Sequence, residues 1–145
     1  MAAPAITFHF QHPSFRLKNR NAIREWIAAC ALAEGHSIAG IHFQFCTDDH
    51  MLLMNKQYLQ HDYLTDILTF EDRSSQGLCG DILISIDRVR DNAKQLKTNT
   101  LNELHRVIAH GVLHLMGYED GTQKTQQAMR TQENTWLDHR TFLTT

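Results

Sequence analysis

Apolar positions change their spacing several times along the chain, and each change predicts an element. Ile6–Phe10 alternates as a first strand. Residues 19–34 then carry Ile23, Trp26, Ile27, Cys30 and Leu32 at helical spacing, with Gly35 as a C-terminal cap. Ile38–Cys46 places Ile41, Phe43 and Phe45 on one face of a second strand, and Thr47-Asp48-Asp49 supplies N-cap chemistry for a helix to about Leu59. Residues 65–70 and 78–86 are two further β-like runs, with Ser74, Ser75, Gln76 and Gly77 as the turn of a hairpin between them. Asp87 is predicted to cap a short helix to about Leu96, residues 98–100 form a polar joint, and 101–116 is the strongest helix, stopped by Gly117. The polar tail over 122–143 has Met129, Trp136 and Leu137 as sparse anchors, enough for a helix docked on the surface. The order predicts an α+β fold, a small mixed four-stranded sheet with helices packed on it.

Length and composition narrow the setting without giving the chemistry. The 145 residues fit one domain spanning 1–145, with no repeat or low-complexity linker and only two prolines, Pro4 and Pro13. Hydrophobic residues at 42% and charged residues at 21% are those of an ordinary globular protein. No long apolar run or leader pattern is read, so no membrane partner and a cytoplasmic location are expected. Cys30, Cys46 and Cys79 are odd in number and lack any C-x-x-C pair, which predicts buried free thiols rather than disulfides or a thiolate metal site. A net charge of −2 gives nucleic-acid binding no support from composition.

Ten histidines in so short a chain do change the picture, because two of them fall one helical turn apart. In His110-Gly111-Val112-Leu113-His114, both imidazoles project from one face of the strongest helix, with Cβ atoms about 5–6 Å apart. One ion can accept a nitrogen from each. Catalytic zinc takes three protein ligands and keeps one position open, so a third donor is needed from beyond the helix. Gly117, seven residues after the first histidine, can take a positive φ and fold the chain back, which brings Asp120 to the site. Glu119 or a water is the alternative donor, and a carboxylate ligand widens the candidate metals from zinc to manganese or nickel. The spacing is shared with metalloproteases that read H-E-x-x-H-x-x-G-x-x-H, whose glutamate is the general base. Gly111 stands in that position here, so the protease base is missing.

The run His110-Gly111-Val112-Leu113-His114-Leu115-Met116-Gly117-Tyr118 resembles the signature H-G-x-L-H-L-x-G-Y-D-H of the rRNA maturation endoribonuclease family known as YbeY. Its last two positions differ, with Glu119 and Asp120 in place of Asp and His. A second stretch, 54–70, resembles the family pattern L-N-x-x-Y/F-R-x-K-D-x-P-T-D/N-V-L-S-F, and a third is 80–85. With Glu103 ahead of the histidines, these stand in the family order. The resemblance implies a zincin-like metal helix over a four-stranded sheet, with one zinc ion per chain on His110, His114 and Asp120. It implies metal-dependent cleavage of single-stranded rRNA, in late 3′-end maturation of the small subunit and in ribosome quality control. The family pattern also carries an arginine, taken to contact the phosphate, where this chain has Leu59; Lys56, His61 and Arg88 are the candidates to replace it.

The basic run Arg16, Lys18, Arg20 and Arg24 is the candidate phosphate track, the alternative being an ordinary solvated helix start. Thr65-Asp66 and Asp81 read either as turn and strand-entry residues or as contacts to RNA, and His105 reads as a packing residue off the metal face. Two other functions fit the same residues. One is a peptidase using Glu119 or Glu103 as base; the other is a non-catalytic ribosome-associated module with a structural ion, which a closed four-ligand shell would mark.

Overall fold

The computed structural model describes residues 5–61 and 63–143, so Pro4 and Asp62 of the motifs above lie outside the described residues. The strands are β1 (Ile6–Phe10), β2 (Ile38–Cys46), β3 (Ile67–Glu71) and β4 (Leu78–Ser85). The helices are α1 (Arg20–Ala33), α2 (Asp48–Leu59), α3 (Ile86–Gln95), α4 (Thr100–Leu115) and α5 (Gln123–Asp138). The sheet runs β1-β2-β4-β3, with β1 and β4 parallel to β2 and β3 antiparallel to β4. This is the mixed four-stranded α+β sheet that the pattern predicts.

Pleating divides the sheet residues between two cores, because neighbouring side chains point to opposite faces. Ile41, Phe43 and Phe45 of β2 and Ile82 and Ile84 of β4 meet Ile23 and Ile27 of α1 and Ile108 and Val112 of α4, all completely buried. Cys46, Leu68 and Leu83 point the other way and pack under Met51 of α2. Each fully buried Ile or Phe contributes about 1.5–3 kcal/mol, so the first face holds the fold and fixes α4 on the sheet. α4 sits close because Gly111 has no side chain: a Cβ there would lie 2.9 Å from Ile67 Cδ1 and 3.0 Å from Ile82 Cγ2.

Several boundaries differ from the sequence expectation for local reasons. Leu32 is 70% exposed, because the buried stripe of α1 continues through Cys30 to Ala31 and position 32 falls off it. β3 begins at Ile67, not Thr65. Ser85, not Asp87, caps α3, its hydroxyl accepting from Arg88 N at 3.2 Å. Asp87 instead accepts from the Asp48 amide and pairs with His12 Nε2, at 2.9 and 3.0 Å, tying α3 to α2 and the segment after β1. α4 starts one residue earlier than predicted, with Asn99 Oδ1 accepting from Asn102 N, and α5 ends at Asp138. The polar α5 docks by its three anchors, with Trp26 Nε1 donating to the Trp136 carbonyl at 2.8 Å. Cys30 and Cys46 are buried free thiols, pushed up to about 11 and about 12 chiefly by desolvation, while Cys79 is only partly buried. No helix of the described residues is long and apolar enough to cross a membrane.

Candidate metal centre

The end of α4 builds the site. Gly117 has φ +103, Tyr118 N donates to Leu113 O, and Gly117 N donates to His114 O, both at 3.0 Å, closing a Schellman motif. The chain therefore reverses as its spacing predicts, and Asp120 Oδ2 comes to 3.3 Å from His110 Nε2 and 3.5 Å from His114 Nε2. Glu34, at the end of α1, accepts from Tyr118 Oη at 2.7 Å and Trp136 Nε1 at 2.8 Å, so the turn and α5 are held by one carboxylate.

Each imidazole is oriented by a partner at its other nitrogen. A backbone carbonyl only accepts, so His114 Nδ1, 3.0 Å from Tyr118 O, carries the hydrogen. His110 Nδ1 likewise donates to the Glu133 carboxylate at 2.6 Å. Both Nε2 atoms thereby face the oxygen of Asp120, a set of three donor atoms that one cation could bridge. Ligands about 2.1 Å from a tetrahedral ion stand roughly 3.4 Å apart, which the two Nε2–Oδ2 separations match. Ligand atoms of the three residues all lie within 4.8 Å of one another, and among the described residues no fourth His, Cys, Asp or Glu joins the group. A divalent transition metal fits this donor set, with a coordination position left over. Glu119 takes no part in it.

The centre lies in a cleft of about 520 Å³ whose lining includes Tyr63, Asp66, Glu103, Arg106, Arg130 and Glu133. Glu133 is the residue that sequence reading missed. Its other oxygen accepts from Arg106 Nη1 at 3.0 Å, and the Arg130 guanidinium stands 3.9 Å away. Burial is the largest single influence and opposes charge on both His110 and Glu133, yet their mutual hydrogen bond together with the surrounding charges, Asp120 and Asp66 for the imidazole and Arg106 and Arg130 for the carboxylate, outweighs it, holding the imidazole above and the carboxylate below their ordinary values. Asp66 and Glu103 are raised, chiefly by burial, which makes them the cleft carboxyls best suited to carry a proton. Asp66 also accepts from Asn92 Nδ2 at 3.3 Å.

The remaining predicted residues lie elsewhere. Lys56 and His61 are outside the cleft lining, although His61 stacks on Tyr63, which lies within it, with centroids 5.1 Å apart. Arg88 is paired with Asp48 and Asp91 at 3.0 and 3.2 Å and is not among the residues that line the cleft. Asp81 points from β4 to the face opposite α4, across from His42 and Phe70. His105 is buried, accepting from Arg140 Nη1 at 2.9 Å in a cluster with Trp26 and Phe142, as a packing residue should. Arg16, Lys18, Arg20 and Arg24 lie in the segment before α1 and in its first turns, alongside β1 at the sheet edge far from β3. Gly111 explains the missing protease base: its position faces Ile67 and Ile82, where a carboxylate has no room.

The chain is similar to known proteins over most of its length. The family model described as Endoribonuclease YbeY matches residues 6–141. Endoribonuclease YbeY of Cytophaga hutchinsonii is 43% identical over 143 residues, covering 98% of this chain and 100% of that one. That of Porphyromonas gingivalis is 40% identical over 128 residues, covering 88% and 85%. The solution structure of TM1509 from Thermotoga maritima superposes with a TM-score of 0.64 at 22% identity, covering 92% of this chain and 87% of that one, a likeness of fold.

Proposed function

The chain belongs to the endoribonuclease YbeY family, and from that premise we propose that it is a single-domain, zinc-dependent ribonuclease whose ion is held by His110, His114 and Asp120. Its substrate is single-stranded rRNA of the small ribosomal subunit, met on the ribosome or its precursor in the cytoplasm, and the activity serves 3′-end maturation and ribosome quality control. The observation that carries the metal assignment is the pair of imidazoles whose Nδ1 atoms are both committed, leaving both Nε2 atoms aimed at Asp120.

When bound, such an ion supplies Lewis-acid polarisation of a phosphoryl oxygen and a lowered pKa for attacking water. The chain's own residues do the rest. Glu133 and the Tyr118 carbonyl fix the two ligand tautomers. Arg130, which lines the same cleft, is 59% exposed at its side chain and makes among the described residues a 3.9 Å ion pair, offers its guanidinium to the substrate phosphate. It takes the part that the family pattern gives to the residue at Leu59. Asp66 and Glu103 are the proton carriers available to the leaving oxygen.

Cleavage of an end-labelled single-stranded RNA by the parent chain and by His114→Ala, with metal content measured on the same samples, tests this reading. Cleavage and bound metal are both lost in the variant if it holds. Full turnover by a metal-free variant would overturn it.

A further inference from the structure

We propose that the guanidiniums of Arg16, Arg20 and Arg24 form a phosphate track along the outer edge of the sheet, a contact for the backbone of single-stranded RNA separate from the metal cleft. The identity of the ligand rests on the RNA reading above; the place rests on the following geometry.

β1 is an edge strand, and its Phe8 and Phe10 continue the row of Phe43 and Phe45 on the core face, with centroids 5.6 Å apart in each pair. Their outer ring faces would end the core in water. Arginines cover them instead: Arg24 Cζ lies 4.8 Å over Phe8, and Arg20 and Arg16 lie 4.7 and 5.2 Å over Phe10. Backbone carbonyls hold each head in place, with Arg16 Nη1 donating to Phe15 O at 2.7 Å, Arg20 Nε to Leu17 O at 3.1 Å and Arg24 Nε to Ile6 O at 2.8 Å. A guanidinium has five N–H donors, so each of the three keeps unused donors, even with Arg24 Nη1 also donating to Asn21 Oδ1 at 2.8 Å, and no carboxylate among the described residues pairs with them. Lys18, lying between them, has no such anchor among the described residues.

Charge is what separates this row from simple shielding of two rings. Among the described residues Arg73, Arg88, Arg106 and Arg130 each pair with a carboxylate, while Arg16, Arg20 and Arg24, like Arg90 and Arg140, do not; what sets this row apart is that three such guanidiniums gather over two neighbouring rings. On a chain of net charge −2, three adjacent uncompensated cations reverse the local sign. Stacking of about 0.5–1 kcal/mol per pair accounts for one arginine over each phenylalanine, not for a second guanidinium over Phe10. Planar heads set four positions apart along the chain match a ligand bearing one anion per repeating unit, which is a phosphodiester backbone. None of the three arginines lines the metal cleft, and the track lies three strand spacings, roughly 15 Å, from β3, whose Ile67 does.

Anisotropy titrations of a labelled single-stranded RNA across a salt series, on the parent chain and on the Arg16→Gln, Arg20→Gln, Arg24→Gln triple variant, test the track. Both are repeated in the His114→Ala background. The variant's slope of log affinity against log salt is expected to be shallower by about 2, since each phosphate contact contributes about 0.7 for single strands. An unchanged slope overturns the track. Cleavage that persists in His114→Ala overturns the metal reading instead and leaves the slope difference standing. Should the triple variant fail to fold, the arginine Nε–H signals of the unmodified chain answer by NMR. Shifts on adding RNA are expected at these three residues; signals that ignore RNA, or move only with an acidic polypeptide, overturn the proposal.

Discussion

His110 Nδ1 lies 2.6 Å from Glu133 Oε2, which joins the metal helix to the polar tail helix across 23 residues of sequence. A charged acceptor at that nitrogen orients the ring and strengthens it as a ligand. Glu133→Gln keeps the shape and removes the charge, so metal affinity is expected to fall about 10–100-fold in chelator competition. Arg106 loses its carboxylate at the same time, and a loss of about 1–3 kcal/mol in folding stability should accompany it. Unchanged metal affinity would reduce Glu133 to a packing role.

Gly111 is where the fold presses the metal helix against the sheet, so Gly111→Ala sets two effects against each other. Alanine gains about 1 kcal/mol in helix propensity but pushes a methyl into Ile67 and Ile82, an overpacking cost of about 1–3 kcal/mol. A net destabilisation in urea unfolding is expected. Ile67→Val removes the Cδ1 atom that a Cβ at 111 would meet at 2.9 Å, so the double variant should be less destabilised than the two single effects added together. Additive losses would mean the close approach is not what glycine serves.

The sequence made the metal helix legible because each step there is local: two histidines four apart, a glycine that can reverse the chain, and a carboxylate three residues on. The sheet was legible for the same reason, since alternation in β2 and β4 has period two whatever packs above it. Glu133 was invisible because its role depends on how α5 lies against α4, and a lone glutamate in a polar tail carries no periodic signal. The same limit let Asp87 pass for an N-cap: its position suited one, but its carboxylate is committed to Asp48 and His12, 39 and 75 residues away.

Burial and the neighbouring Arg140 depress the His105 pKa to about 4, below the ordinary 6.5, so the folded chain binds a proton there less readily than the unfolded chain. Stability from this group is complete above pH 6.5 and is lost as pH falls toward 4, amounting to about 2 kcal/mol at pH 5. His105→Gln keeps an acceptor for Arg140 and removes the titration. Urea unfolding at pH 7.5 and pH 5 should show a smaller acid loss in the variant than in the parent. Equal losses would place the acid sensitivity in other groups.

Arg130 is the exposed guanidinium facing the metal centre, since Arg106 is bound at 3.0 Å to Glu133 and at 2.9 Å to Asn134. Its 3.9 Å separation from Glu133 is beyond hydrogen-bond reach, so moving toward a phosphate forfeits little. Arg130→Gln should therefore raise KM for a single-stranded RNA about 10–100-fold, the value of a hydrogen bond to a charged group, with a smaller change in kcat and unchanged metal content. Arg130→Lys keeps the charge and loses the fork, so it should recover part of the affinity. A drop in kcat at unchanged KM would instead mean that Arg130 acts only on the transition state, and loss of metal would mean that it acts through Glu133.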